Sequence, residues 1–123
     1  MKIAIPSASA DGMAAQRSGH FGHTPYFAIV EYDEEMNVAS VESVPNVDHD
    51  SVGCGGVIEY VMTLGVDGIV CAGMGRPPFT RFTQAGIDVY IDATAPLVGD
   101  VARLFAEGRV ARMAPEAACN HHH

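Results

Sequence analysis

Apolar residues along this chain come in short runs separated by polar stretches rich in glycine and proline. Lys2 to Pro6 carries the first run and predicts a strand. Ser7 to Pro25 is polar and glycine-containing and reads as a long loop, a kind of segment that usually has a task. Tyr26 to Tyr32 is rich in aromatic and β-branched residues, Asp33 to Asn37 turns the chain, and Val38 to Val44 returns, which predicts a hairpin around a solvated acidic turn, Asp33-Glu34-Glu35. Pro45 to Gly56 reads as a second loop that ends in Gly53-Cys54-Gly55-Gly56.

From there Val57, Ile58, Val61, Met62 and Leu64 recur at helical spacing, and Gly65 is a natural left-handed stop. Gly68 to Ala72 is apolar on both faces, as a central parallel strand should be. Pro77 and Pro78 suit the first turn of a helix reaching about Gln84, Gly86 ends it, and Ile87 to Ile91 is another strand. Thr94 and Pro96 open a last helix with an apolar stripe of Leu97, Val101, Leu104 and Phe105, closed by Gly108.

The order β-β-β-α-β-α-β-α predicts an α/β fold, a five-stranded mixed sheet with strand 2 antiparallel and three helices covering it. One domain is expected over residues 1–112, with 113–123 as a flexible tail. In this topology the first, third, fourth and fifth strands point their carboxyl ends to one edge. The loops 7–25, 45–56, 73–78 and 92–95 therefore share a rim, where ligands of open α/β sheets bind.

Composition narrows the partners. A chain of 123 residues supports one continuous core, and 48% hydrophobic with 7% aromatic residues means a core built mainly from Val, Ile, Ala and Leu. A formal charge of -8 with no basic run opposes nucleic acid. No apolar stretch is long enough for a membrane span and no signal peptide is apparent, so a cytoplasmic protein with no membrane partner is expected. Three widely spaced cysteines, Cys54, Cys71 and Cys119, argue against a disulfide framework and against a paired C-x-x-C metal site.

The rim holds the candidate chemistry. Gly19-His20-Phe21-Gly22-His23 places two imidazoles three residues apart, between glycines that let the backbone approach a ligand. Cys54, read at the start of a helix, would have its thiolate favoured by free N–H groups and the helix dipole. Cys71, inside an apolar strand, reads as a packed core residue. Gly73-Met74-Gly75-Arg76 lies between a strand and a helix, but the prolines that follow remove N–H donors a phosphate would need, and no complete phosphate-loop pattern is present. Arg76 could balance an anion; Met74 could be a soft ligand or a gap filler. Cys119-Asn120-His121-His122-His123 has metal-binding softness, yet three terminal histidines read as a purification tag.

His20-Phe21-Gly22 with Phe27 after it, Asn46, Cys54-Gly55, Leu64-Gly65-Val66-Asp67, Gly73-Met74-Gly75 and Gly86-Ile87-Asp88-Val89-Tyr90 together resemble the dinitrogenase iron-molybdenum cofactor biosynthesis family, which includes NifX, NafY and the carboxyl-terminal domain of NifB. The resemblance runs from residue 2 to about 112. It implies a ribonuclease H-like three-layer fold and a non-catalytic protein that carries iron-molybdenum cofactor, a precursor, or another molybdenum- or iron-containing sulfide cluster. It also implies metallocofactor assembly or recipient proteins as partners. His20 matches the histidine of the family's His-Phe-Gly motif, a proposed cofactor ligand, and Cys54 matches a cysteine many relatives carry. Ser18-Gly19 stands where nitrogenase-linked members often have an acidic residue, and His23 is an addition.

On this reading His20, Cys54 and His23 are the candidate metal ligands, with Phe21, Gly22, Gly55, Gly56, Met74, Gly75 and Arg76 as cofactor-binding candidates. A metal-sulfide cluster is anionic and needs few protein ligands plus aimed N–H donors, and weak, partly exposed ligation lets it leave again. A nuclease would need carboxylates on the first strand, and Lys2 to Pro6 has none. A small-molecule or nucleotide-binding regulatory module using Gly73 to Arg76 is the other competing reading.

Overall fold

The computed structural model describes residues 1–19, 21–47 and 49–113, and for residues 49–55 the backbone alone. The elements are β1 (Lys2–Ser7), a 3₁₀ turn (Gly12–Ala14), β2 (Tyr26–Tyr32), β3 (Val38–Pro45), α1 (His49–Met62), β4 (Gly68–Cys71), α2 (Arg76–Gln84), β5 (Asp88–Ile91), α3 (Val98–Ala106) and β6 (Ala111–Arg112). They form one mixed sheet in the order β3-β2-β1-β4-β5-β6. β2 runs antiparallel to β1 and β3, while β1, β4 and β5 are parallel, as the chain order predicts.

Period-2 alternation places sheet side chains in two cores. On one face Ala4, Phe27, Ile29, Ile69, Cys71 and Val89 pack with α1 and α2 through Val57, Val61, Phe79 and Phe82. On the other, Ile3, Ile5, Ala28, Val30 and Val70 pack with α3 through Val98, Val101, Ala102 and Phe105. The result is a three-layer α/β arrangement with a fully buried centre. Cys71, only 1% exposed, is a core residue as its apolar strand predicts.

Individual contacts lock the layers. The Tyr32 hydroxyl donates to the Ala102 carbonyl at 2.7 Å, joining β2 to α3, and burial pushes its pKa up to about 12, so it stays a neutral donor. The acidic hairpin turn is exposed, and Asp33 Oδ1 accepts the N–H groups of Glu35 and Asn37 at 2.9 Å each. At Gly68 a Cβ would stand 3.0 Å from Tyr90 Cε2 and 3.2 Å from the Asp88 carbonyl oxygen. Gly68→Ala is therefore expected to cost about 1–3 kcal/mol by overpacking, read as a lower urea midpoint at unchanged slope.

Two expectations are corrected. The sheet has six strands instead of five, because Gly108, with φ +72°, reverses the chain and Ala111–Arg112 pairs with Tyr90 and Ile91. Met113, placed by the sequence in the tail, is 6% exposed, and its N–H donates to the Val89 carbonyl at 2.8 Å. A two-residue strand carries no alternation of its own; pairing with β5 creates it. The second correction concerns α1, which begins at His49 and contains Gly53-Cys54-Gly55-Gly56. Glycines lower helix propensity, but propensity is a weak prior, and the burial of Val57, Ile58 and Val61 on the sheet outweighs it. Cys54 thus lies in the second turn of the helix, away from the free N–H groups of the first turn.

Candidate functional site

The carboxyl ends of β1, β3, β4 and β5 meet one rim, and the segment between β1 and β2 covers much of it. Its first half belongs to the α3 side. The Ala8 N–H donates to Gln16, the Val98 N–H to Ala15 and the Arg17 N–H to Pro96, at 2.9, 2.9 and 3.0 Å. The 3₁₀ turn lies so close to α3 that a Cβ at Gly99 would be 3.0 Å from the Met13 carbonyl oxygen, a contact tight enough that the turn would have to give by a few tenths of an ångström. Arg17 bridges to Ser7 and Gln16 to Leu97. Since Ser7 already pairs with Tyr26 of β2, Arg17 occupies its other edge, on the side of the sheet where β4 ends. The long loop expected from the sequence is in this part an ordered, sheet-like extension.

The second half crosses to the α1/α2 side. Phe21, 7% exposed, packs its ring edge-on to Phe82 at 5.4 Å and against Phe27 at 6.0 Å. Thr24 is 2% exposed, and its hydroxyl lies 2.9 Å from the Ser7 carbonyl and 3.0 Å from the Tyr26 carbonyl, one proton serving two acceptors. Asn46, just past β3, donates through Nδ2 to the carbonyls of Thr24 at 2.8 Å and Gly22 at 3.4 Å, while its Oδ1 accepts the Val47 N–H at 2.7 Å. The turn that follows His20 is thereby tied to the segment that leads into α1.

Of the predicted site residues, His20 and the side chain of Cys54 lie outside the described residues, as do 114–123 with Cys119 and His121–His123. Among the described residues no three His, Cys, Asp or Glu are grouped to hold a metal ion. His23 is exposed, Gly22 is half-buried and accepts from Asn46, and Gly55 and Gly56 are within α1. Met74, 4% exposed, fills the α1/α2-side core. Gly75 is the N-cap of α2 and Arg76 its exposed first residue; Pro77 and Pro78 follow, so the first turn is short of donors.

Sequence reasoning gave no role to Arg17, Thr24 or Asp92. Asp92 follows β5 and accepts from the Ala95 N–H at 2.9 Å and the Thr94 hydroxyl at 2.9 Å, with Arg17 Nη1 3.6 Å away. Burial works against the charged form, but those hydrogen bonds and the Arg17 charge outweigh it and hold the carboxyl below its usual range. Asp92-x-Thr94 carries a side-chain turn signature that could have flagged it; Arg17, alone in a polar stretch, carries none.

The family model for dinitrogenase iron-molybdenum cofactor matches residues 1–108. The chain belongs to that family. Among its relatives is an uncharacterized protein of Methanocaldococcus jannaschii, 30% identical over 112 residues and covering 89% of each chain. The crystal structure of PH0822 is similar at a TM-score of 0.77 and 27% identity, covering 92% of this chain and 96% of that one. The apo form of the orange protein from Desulfovibrio gigas shares the fold at a TM-score of 0.78 and 22% identity, covering 92% of both chains. Among the described residues no helix of this dinitrogenase cofactor family member is long and apolar enough to cross a membrane.

Proposed function

We propose that this chain is a cytoplasmic, non-catalytic carrier that binds a molybdenum- or iron-containing sulfide cluster, or its precursor, and passes it between metallocofactor assembly and recipient proteins. Membership of the dinitrogenase iron-molybdenum cofactor family across residues 1–108 carries this reading. The rim supports it: the turn after His20 and the approach to Cys54 are joined through Asn46, so two soft-ligand segments start from a common frame. The sheet order, with β2 antiparallel, supports a ribonuclease H-like description of the fold. β1 lacks the carboxylates a nuclease of that fold would need. His20, Cys54 and His23 are the proposed ligands, with Phe21, Gly22, Gly55, Gly56, Met74, Gly75 and Arg76 shaping or balancing the site.

The test uses the chain with His121, His122 and His123 replaced by alanine, reduced and reconstituted anaerobically with iron, sulfide and tetrathiomolybdate. Bound metals and the visible spectrum are measured for the parent, His20→Ala and Cys54→Ala. Retention in each variant is expected to fall about tenfold or more. Unchanged binding in both rejects the site, and uptake of a nucleotide without metal replaces this reading with a regulatory module using Gly73 to Arg76.

A further inference from the structure

The side chain of Arg17 is only 8% exposed, yet among the described residues its Nε and Nη2 find no hydrogen-bond acceptor. A buried charge-bearing donor left unused is rare and calls for an explanation. Asp92 does not supply one. Its carboxylate is held by the Thr94 and Ala95 donors, and Arg17 approaches it only through Nη1, at 3.6 Å. Nε–H and the neighbouring Nη2–H lie on one edge of the guanidinium plane, with their bonds parallel. That edge is the fork which grips two acceptor atoms of one anion. Asp92 thus takes the far side of the group and leaves the fork, though buried, without an acceptor among the described residues. The backbone on both sides is fixed: Arg17 N–H on Pro96, Ser18 N–H on Pro6 at 2.9 Å, and the bridge to Ser7. The fork therefore belongs to a rigid part of the rim, beside the carboxyl end of β4.

We propose that the Arg17 fork is an anion subsite for a tetrahedral dianion, gripped through two adjacent oxygen or sulfur atoms, and that the anion is an oxo- or thiometallate. The choice of a metallate rests on the cluster-carrier reading; the fork itself does not. Asp92 acts as the positioning residue, fixing the plane of the guanidinium while opposing the anion electrostatically.

The full chain, isotope-labelled, is titrated with tetrathiomolybdate, molybdate or inorganic phosphate, and the Arg17 Nε–H resonance is followed by NMR. This needs no substitution, so loss of folding cannot obscure it. A saturable shift with tetrathiomolybdate or molybdate and none with phosphate is expected. An equal shift with phosphate overturns the metallate assignment, and no shift with any of the three overturns the subsite. Variants then separate binding from structural support. Arg17→Lys keeps the charge but not the fork and should weaken binding about tenfold. Asp92→Asn removes the opposing charge and should tighten it. Weakening by both variants in step with a falling Tm would mark the pair as structural only and overturn the proposal. Because His20→Ala and Cys54→Ala leave the fork intact, loss of cluster retention in them with a preserved Nε–H shift distinguishes failure of the carrier reading from failure of this one.

Discussion

Phe21→Ala is expected to lower the unfolding free energy by about 3–5 kcal/mol, a large part of the total for a domain of this size. The ring is 7% exposed and wedged between Phe27 and Phe82, so truncation leaves a cavity against two aromatic faces that cannot collapse independently. Chemical denaturation should show an earlier midpoint at unchanged slope. A double-mutant cycle with Phe82→Ala should return a coupling of about 0.5–1.5 kcal/mol for the edge-to-face pair. A loss below about 1 kcal/mol, as for a surface residue, would mean that the ring is not packed in the core. The second consequence is local, because Phe21 anchors the turn over residues 21–24 to the core.

Asn46→Ala should cost about 2–3 kcal/mol, since it removes three hydrogen bonds and leaves the Thr24 carbonyl without its 2.8 Å donor. Its effect on cluster retention should exceed its effect on stability. The side chain joins the turn after His20 to the entry of α1, and releasing it lets the two segments drift apart. Metal retention after reconstitution, measured at a temperature where the variant is fully folded, should drop about tenfold. Asn46→Asp keeps the acceptor for the Val47 N–H but loses both donated bonds, and should fall between alanine and the parent. Equal retention in all three proteins would show that the tether does not matter to the cargo.

The central fold was legible because its elements announce themselves. The hairpin, the apolar β4 and the amphipathic α3 follow from alternation, from two-sided burial and from a helical stripe. The hairpin and β4 appear within a residue of their expected places. In contrast, α3 starts only at Val98, past the Thr94 and Pro96 expected to open it, and leaves Leu97 as an exposed N-cap. What escaped depended on distant contacts. β6 exists only because β5 offers it an edge, and α1 runs through glycines because its later turns are buried. The rim was legible as a place, since strand directions alone bring its loops together. Its internal order was not: Arg17 reads as an ordinary loop arginine until Pro6, Ser7, Pro96 and Asp92 are seen around it. Phe21, named from its motif alone, also packs in the α1/α2-side core, a contact that the motif does not announce.

Residues 8–19 are stitched to the α3 layer and residues 21–24 to the α1/α2 layer, so the two halves act as a strap over the end of the sheet. Neither helical layer can slide against the strands without stretching it. On the carrier reading, a guest settling there would meet, in the described part of the rim, a floor whose shape was set when the chain folded, so that part would need little ordering on arrival.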